Sequence, residues 1–134
     1  SGLLDAIRRR LCCRPPGRVT GLVALTGGGS GEVIVAWSPS PPADRVAAYR
    51  VYRRTAPGVW RLLALVEPGA GDPAAPGKVA MLDFPGNFPG GSDFGPAGER
   101  TYVVTAINRA GQEGPPSFEV VGTPPAPGEG PAGE

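Results

Sequence analysis

The sequence predicts an all-β fold: a seven-stranded antiparallel Greek-key β-sandwich with a short N-terminal helix. Three observations lead there. Seven short runs rich in Val, Ile, Tyr and Trp alternate in polarity at a period of two. Turn-forming Gly and Pro punctuate them, 22 and 18 in 134 residues. Helical periodicity is expected only at the start of the chain.

The leader, "SGLLDAIRRRLCC" (1–13), places Leu3, Leu4, Ile7 and Leu11 on one stripe. Arg8, Arg9 and Arg10 lie toward the C-terminal end of this helix, where cations complement the helix dipole, and Pro15-Pro16 stops it. About ten residues make a helix that is marginal alone and needs a surface to pack against. Residues 1–14 are therefore expected to be a docking segment, with the stripe and the three arginines contacting a partner. Cys12 and Cys13 are adjacent, so a bridge between them would strain the peptide. Cross-linking to another chain, acylation beside the basic helix, and two inert thiols at the docking site remain open.

The β-runs follow in order. "RVTGLVALT" (18–26) and "EVIVAWS" (32–38) flank a Gly-rich turn, and Val33, Val35 and Trp37 share one face. "AAYRVYRR" (47–54) turns Tyr49 and Val51 one way and Arg50, Tyr52 and Arg54 the other. "APG" leads into "VWRLLALV" (59–66), and "KVAMLDF" (78–84) is weaker. A long loop, 85–98, carries Phe88 and Phe94, either plugging the fold or offered to a partner. "RTYVVTAIN" (100–108) sets Tyr102, Val104 and Ala106 on one face, and "SFEVVG" (117–122) closes the set. The sandwich is expected over 15–123 and a flexible Pro/Gly tail over 124–134. The expected core is Val35, Trp37, Tyr49, Val51, Tyr102, Val104 and Ala106.

Composition excludes several chemistries. There is no histidine, which removes the usual general base and imidazole metal ligands. Two cysteines without CxxC spacing make no zinc site, and "GGGSGE" (27–32) lacks the Lys-Ser/Thr of a phosphate loop. A carboxylate-only glycosidase normally needs a larger cleft than one short sandwich supplies. The chain is thus expected to be non-enzymatic, with no cofactor, metal or small-molecule substrate. Its net charge of +1 argues against nucleic acid. That charge is unevenly distributed: residues 1–66 hold ten Lys and Arg against three acids, residues 67–134 three against nine. The two halves are expected to mix on the folded surface. No secretory leader is visible in the chain.

At this point the order of residues resembles a fibronectin type III domain, an immunoglobulin-like family. "PPGRVTGLVALTGGGSGEVIVAWSPSPPADRVAAYRVYRR" (15–54) is similar to that family's opening, with Trp37 on the second strand and "YRVYR" on the third. "TYVVTAINRAGQEGPPS" (101–117) resembles its sixth strand and following loop, with Ala106, Asn108 and Gly111 in the usual places. Arg100 stands where the family carries a corner tyrosine, and Tyr102 follows two residues later. Arg109-Ala110-Gly111 replaces the adhesion tripeptide Arg-Gly-Asp, so integrin-type adhesion does not carry over. The resemblance implies a fold and a habit of binding or spacing, not a ligand.

The expected function is that of a structural or protein-interaction subunit. It docks through its N-terminal helix onto a larger assembly (virion, surface filament, or envelope or membrane complex) and displays a β-sandwich. Fold analogy favours a cell-surface, extracellular or virion location. Surface contacts are expected at Trp60, Tyr52, Arg50, Phe88 and Phe94. The alternatives are a peripheral adhesion protein held on a membrane surface by the same helix, and an accessory carbohydrate-binding module. The latter needs exposed aromatics in a row, for which Trp60 and Tyr52 are the candidates.

Overall fold

A computed structural model describes residues 14–27, 32–83 and 99–123. The expected leader helix with its cysteines, the loop bearing Phe88 and Phe94, and the tail 124–134 lie outside the described residues.

Seven strands form two antiparallel sheets. They are β1 (Val23–Thr26), β2 (Val33–Trp37), β3 (Val46–Ala56), β4 (Val59–Val66), β5 (Val79–Asp83), β6 (Arg100–Asn108) and β7 (Val120–Gly122). One sheet has the order β1-β2-β5 and the other β4-β3-β6-β7. A 3-10 turn, Pro42–Asp44, carries the chain from the first sheet to the second. The β3–β4 hairpin turns at Pro57-Gly58, where Pro57 pre-sets its own φ and Gly58 takes φ 74°, a value an L side chain resists.

The core lies between the sheets. Trp37 is fully buried and meets Tyr49 edge-to-face, with ring centroids 5.3 Å apart. Around this pair pack Val33, Val35, Val51, Val79, Tyr102, Val104 and Ala106, the inward-facing positions of β2, β3, β5 and β6. Every residue expected in the core is there.

Two strands are shorter than their β-rich runs. Pairing in β1 starts only at Val23, because Gly21 takes φ 69° and interrupts the extended run. The β7 ladder with β6 is regular only from Val120; upstream, Ser117 meets β6 irregularly, its N–H donating to the Val104 carbonyl (2.9 Å) while its side-chain hydroxyl, in place of a backbone carbonyl, accepts from the Val104 N–H (2.9 Å).

The sheets differ on their outer faces. Loop 67–78 folds over the three-stranded sheet and sets Ala75 against Ile34, Ala36 and Ala80, which is why all five residues of β2 are buried. Among the described residues, no segment folds over the β4 flank of the four-stranded sheet in this way, and Leu62 and Leu65 there are 51% and 63% exposed.

Near one end of the sandwich, charge is buried. Arg53 donates to Asp83 (3.0 Å), as does Arg100 (3.3 Å), and the Tyr102 hydroxyl donates to the same carboxylate. All four side chains are at most 3% exposed. Arg100 thus ties β6 to the carboxylate at the end of β5. Burial, followed by the charge and hydrogen bond of Asp83, pushes the Tyr102 phenol well above its ordinary pKa.

Candidate functional site

The alternation that sends Tyr49, Val51 and Arg53 inward sends Arg50, Tyr52 and Arg54 to the outer face of the four-stranded sheet. Cross-strand register then fixes their neighbours. On β6, Thr105 lies opposite Arg50 and Val103 opposite Tyr52. On β4, Leu65 lies opposite Arg50, Leu62 opposite Tyr52 and Trp60 opposite Arg54. Trp60 is therefore the diagonal neighbour of Tyr52.

After β6 the chain turns at 109–112 and runs back beside that strand. Gly114 donates its N–H to the Ala106 carbonyl (2.9 Å), and a Cβ on Gly114 would collide with the Pro16 carbonyl. This returning segment makes the far wall of an open groove of about 430 Å3. Tyr52 and Trp60 stand on one side, Pro116, Ser117 and Glu119 on the other, with the nearly buried Val103 and Thr105 between them.

A hydrogen-bonded cluster occupies one part of the groove. The Glu113 carboxylate accepts from the Arg50 guanidinium (3.0 Å), the Tyr52 hydroxyl (2.7 Å) and the Thr105 hydroxyl. Partial burial pushes the Glu113 pKa up, but the hydrogen bonds from Thr105 and Tyr52 and the charge of Arg50 outweigh it and leave it below the usual value. Tyr52 moves the other way: burial raises its pKa, as do its bond to Glu113 and that carboxylate's charge, against a smaller lowering by Arg50. Arg54 and Glu119 approach to 4.0 Å at the exposed rim.

A carboxylate held ionised by three donors is poorly suited to give up a proton as a general acid. It instead fixes the rotamers of Arg50, Tyr52 and Thr105, so the groove presents ordered hydrogen-bonding groups beside aromatic surface. Among the described residues no group of three or more His, Cys, Asp or Glu could hold a metal ion, and no helix is long and apolar enough to cross a membrane.

Of the expected contact residues, the structure brings Arg50, Tyr52 and Trp60 onto one face. Sequence reasoning missed Glu113, Thr105, Ser117 and Glu119. Thr105 carried a signal, since it shares the outward parity of Val103. Glu113 carried none, because it lies 63 residues from Arg50 and 61 from Tyr52.

No protein-family model matches the sequence, and no curated protein matches it. Among solved structures, the fold is similar to part of a β-1,2-glucanase from Parabacteroides distasonis. The TM-score is 0.54 and the identity 19%, over 84% of this chain and 14% of the glucanase. The chain thus spans about one-seventh of that enzyme's length. This corrects the expectation of a non-enzymatic chain. That reading took a short sandwich to be too small for glycoside chemistry, yet a similar sandwich forms part of a glycoside-cleaving enzyme, so small size does not argue against enzymatic context. The likeness itself is one of fold.

Proposed function

We propose that this chain is a recognition module. In this reading a fibronectin-III-like Greek-key sandwich is attached to a larger body through residues 1–14 and presents the outer face of its four-stranded sheet to a partner. The observation that carries it is the groove in which Tyr52 and Trp60 meet an ordered Arg50–Glu113–Thr105 cluster. Ordered polar groups beside aromatic surface are what recognition sites hold in common. The strand order β1-β2-β5 facing β4-β3-β6-β7 supports the family reading.

The attachment reading is supported by how the root of the leader is held. Asn108 Nδ2 donates to the Arg14 carbonyl (2.8 Å), the Gly17 N–H donates to Asp44 (3.2 Å), and Pro16 is fully buried. A partner gripping Leu3, Leu4, Ile7 and Leu11 would thereby meet the sandwich beside the end of β6. The larger body fits a virion, a surface filament or an envelope or membrane complex. The likeness to one-seventh of a glucanase also supports service as one module among several.

Three variants of the whole chain test the reading. Leu4→Asp with Ile7→Asp should abolish co-purification with the native assembly, whereas replacing Arg8, Arg9 and Arg10 by Gln should weaken it modestly and mainly at low salt. Tyr52→Ala with Trp60→Ala should leave that co-purification intact and remove retention of the displayed partner. Unchanged behaviour of both double variants would defeat the proposal. Dominance of the arginine changes, with release from a membrane fraction on replacing Cys12 and Cys13 by Ser, would transfer it to a membrane surface.

A further inference from the structure

We propose that the groove on the outer face of the four-stranded sheet is a glycan-binding site, with one sugar ring lying against Trp60 and Tyr52 and its hydroxyls reaching Glu113 and Glu119. The inference rests on the recognition-module reading and names the class of ligand that this face takes.

Three features point to a neutral, polyhydroxylated ligand. The first is the mixed lining. A sugar ring has an apolar C–H face and a rim of hydroxyls; the groove offers Tyr52, Trp60, Val103 and Pro116 for the first, and Thr105, Ser117, Glu113 and Glu119 for the second. The second is charge. Glu113 is paired with Arg50 at 3.0 Å and Glu119 with Arg54 at 4.0 Å, so the lining carries charged groups without a strong net field. A ligand with net charge meets no uncompensated charge in this lining, whereas hydroxyls can donate to the carboxylates while leaving both pairs intact. The third is size and shape. About 430 Å3, open to solvent, falls in the range of about 300–1,000 Å3 that small-ligand clefts occupy.

An extended apolar peptide would choose another site. The most exposed leucines of this face, Leu62 and Leu65, sit on β4 and do not line the groove. The cluster around Glu113 also costs little to use: Glu113 already holds Arg50, Tyr52 and Thr105 in place, so binding a sugar does not have to order them.

The test is a titration of the full-length 15N-labelled protein with cellotetraose, laminaritetraose, maltotetraose, xylotetraose and mannotetraose, each to about 10 mM, far enough to see a dissociation constant near 1 mM. At least one should move the amide signals of Tyr52, Trp60, Val103, Thr105 and Ser117 and change tryptophan emission. Trp37 is fully buried, so an emission change reports Trp60. Trp60→Ala should weaken binding at least tenfold, and Trp60→Leu is the substitute if the alanine variant fails to melt cooperatively. Leu82→Ala, on the other sheet, should bind as the parent does. Silence with all five sugars, shifts mapping elsewhere, or binding unchanged by loss of Trp60 would overturn the proposal. Periodate treatment of the displayed partner separates this failure from that of the recognition module. Retention that depends on Tyr52 and Trp60 but survives periodate keeps the module and removes the glycan; no face-dependent retention removes both.

Discussion

Arg50 and Arg53 lie three residues apart on β3 and end in opposite surroundings. Each meets a carboxylate at 3.0 Å, and each carboxylate also accepts from a tyrosine hydroxyl. Around Asp83 the groups are almost wholly buried, whereas the Arg50 and Glu113 side chains are 39% and 33% exposed. The composition is similar and the consequences differ. A charge sealed in the interior cannot fall back on water, so losing its partner is expensive. A charge at the surface exchanges one set of hydrogen bonds for another at small cost. The inner cluster therefore belongs to the stability of the sandwich, and the outer one is available for recognition.

The sharpest way to break this contrast is Asp83→Ala. It removes the carboxylate that the buried Arg53 and Arg100 share, and the loss of stability should be about 3–5 kcal/mol by denaturant unfolding. A loss below about 1 kcal/mol would mean that water reaches the cluster and the contrast is false. Tyr102→Phe comes next, at about 1.5–3 kcal/mol for a buried hydrogen bond to a charged group. Its pH dependence sharpens the point. The Tyr102 pKa in the folded chain lies above the ordinary 10.0, so its contribution is complete below that pH and fades as pH rises beyond it. The parent should lose stability steeply above pH 10, and Tyr102→Phe should show a shallower slope there.

Glu113→Gln should cost only about 0–1 kcal/mol. The Glu113 pKa is lowered from 4.5, so its contribution is present above that pH and is lost as pH falls below it. The variant's acid unfolding should accordingly be flatter than the parent's in that window. Smallest of all is Arg54→Gln, within about 0.5 kcal/mol, because its pair with Glu119 is long and about half exposed on both sides. A thermal melt that moves more for Arg54→Gln than for Glu113→Gln would reverse the ranking.

The strands and the core were legible because period-two alternation is a local signal. Val33, Val35 and Trp37, or Tyr102, Val104 and Ala106, announce the buried face without reference to the rest of the chain. The inner cluster was half legible. Arg53 continues the parity of Tyr49 and Val51, and Arg100 that of Tyr102, so both arginines were already aimed inward. What hid them is that burial of arginine depends on a carboxylate, and Asp83 lies 30 residues from Arg53. The groove was least legible. Tyr52 and Trp60 belong to one hairpin and could be paired, but its other wall comes from 113–119, placed there by the strand order. The uneven charge finds its counterpart in the same contacts: Arg50–Glu113, Arg53–Asp83 and Arg54–Glu119 each join a base of the first half to an acid of the second.

The bond from Asn108 to the Arg14 carbonyl spans 94 residues, nearly the whole sandwich. Closing a loop of that length costs roughly 4 kcal/mol in chain entropy if nothing between has formed, and little once the strands are paired. The β3–β4 hairpin, joined by a two-residue turn, faces almost no such barrier. In the order of assembly the hairpin is therefore expected early and the Arg14 clasp late. By the same reasoning the clasp should be among the first contacts to open in the native protein, its amides exchanging with solvent before those of β3 and β6. The end of the sandwich around residue 14 is thus the part that seats last and releases first.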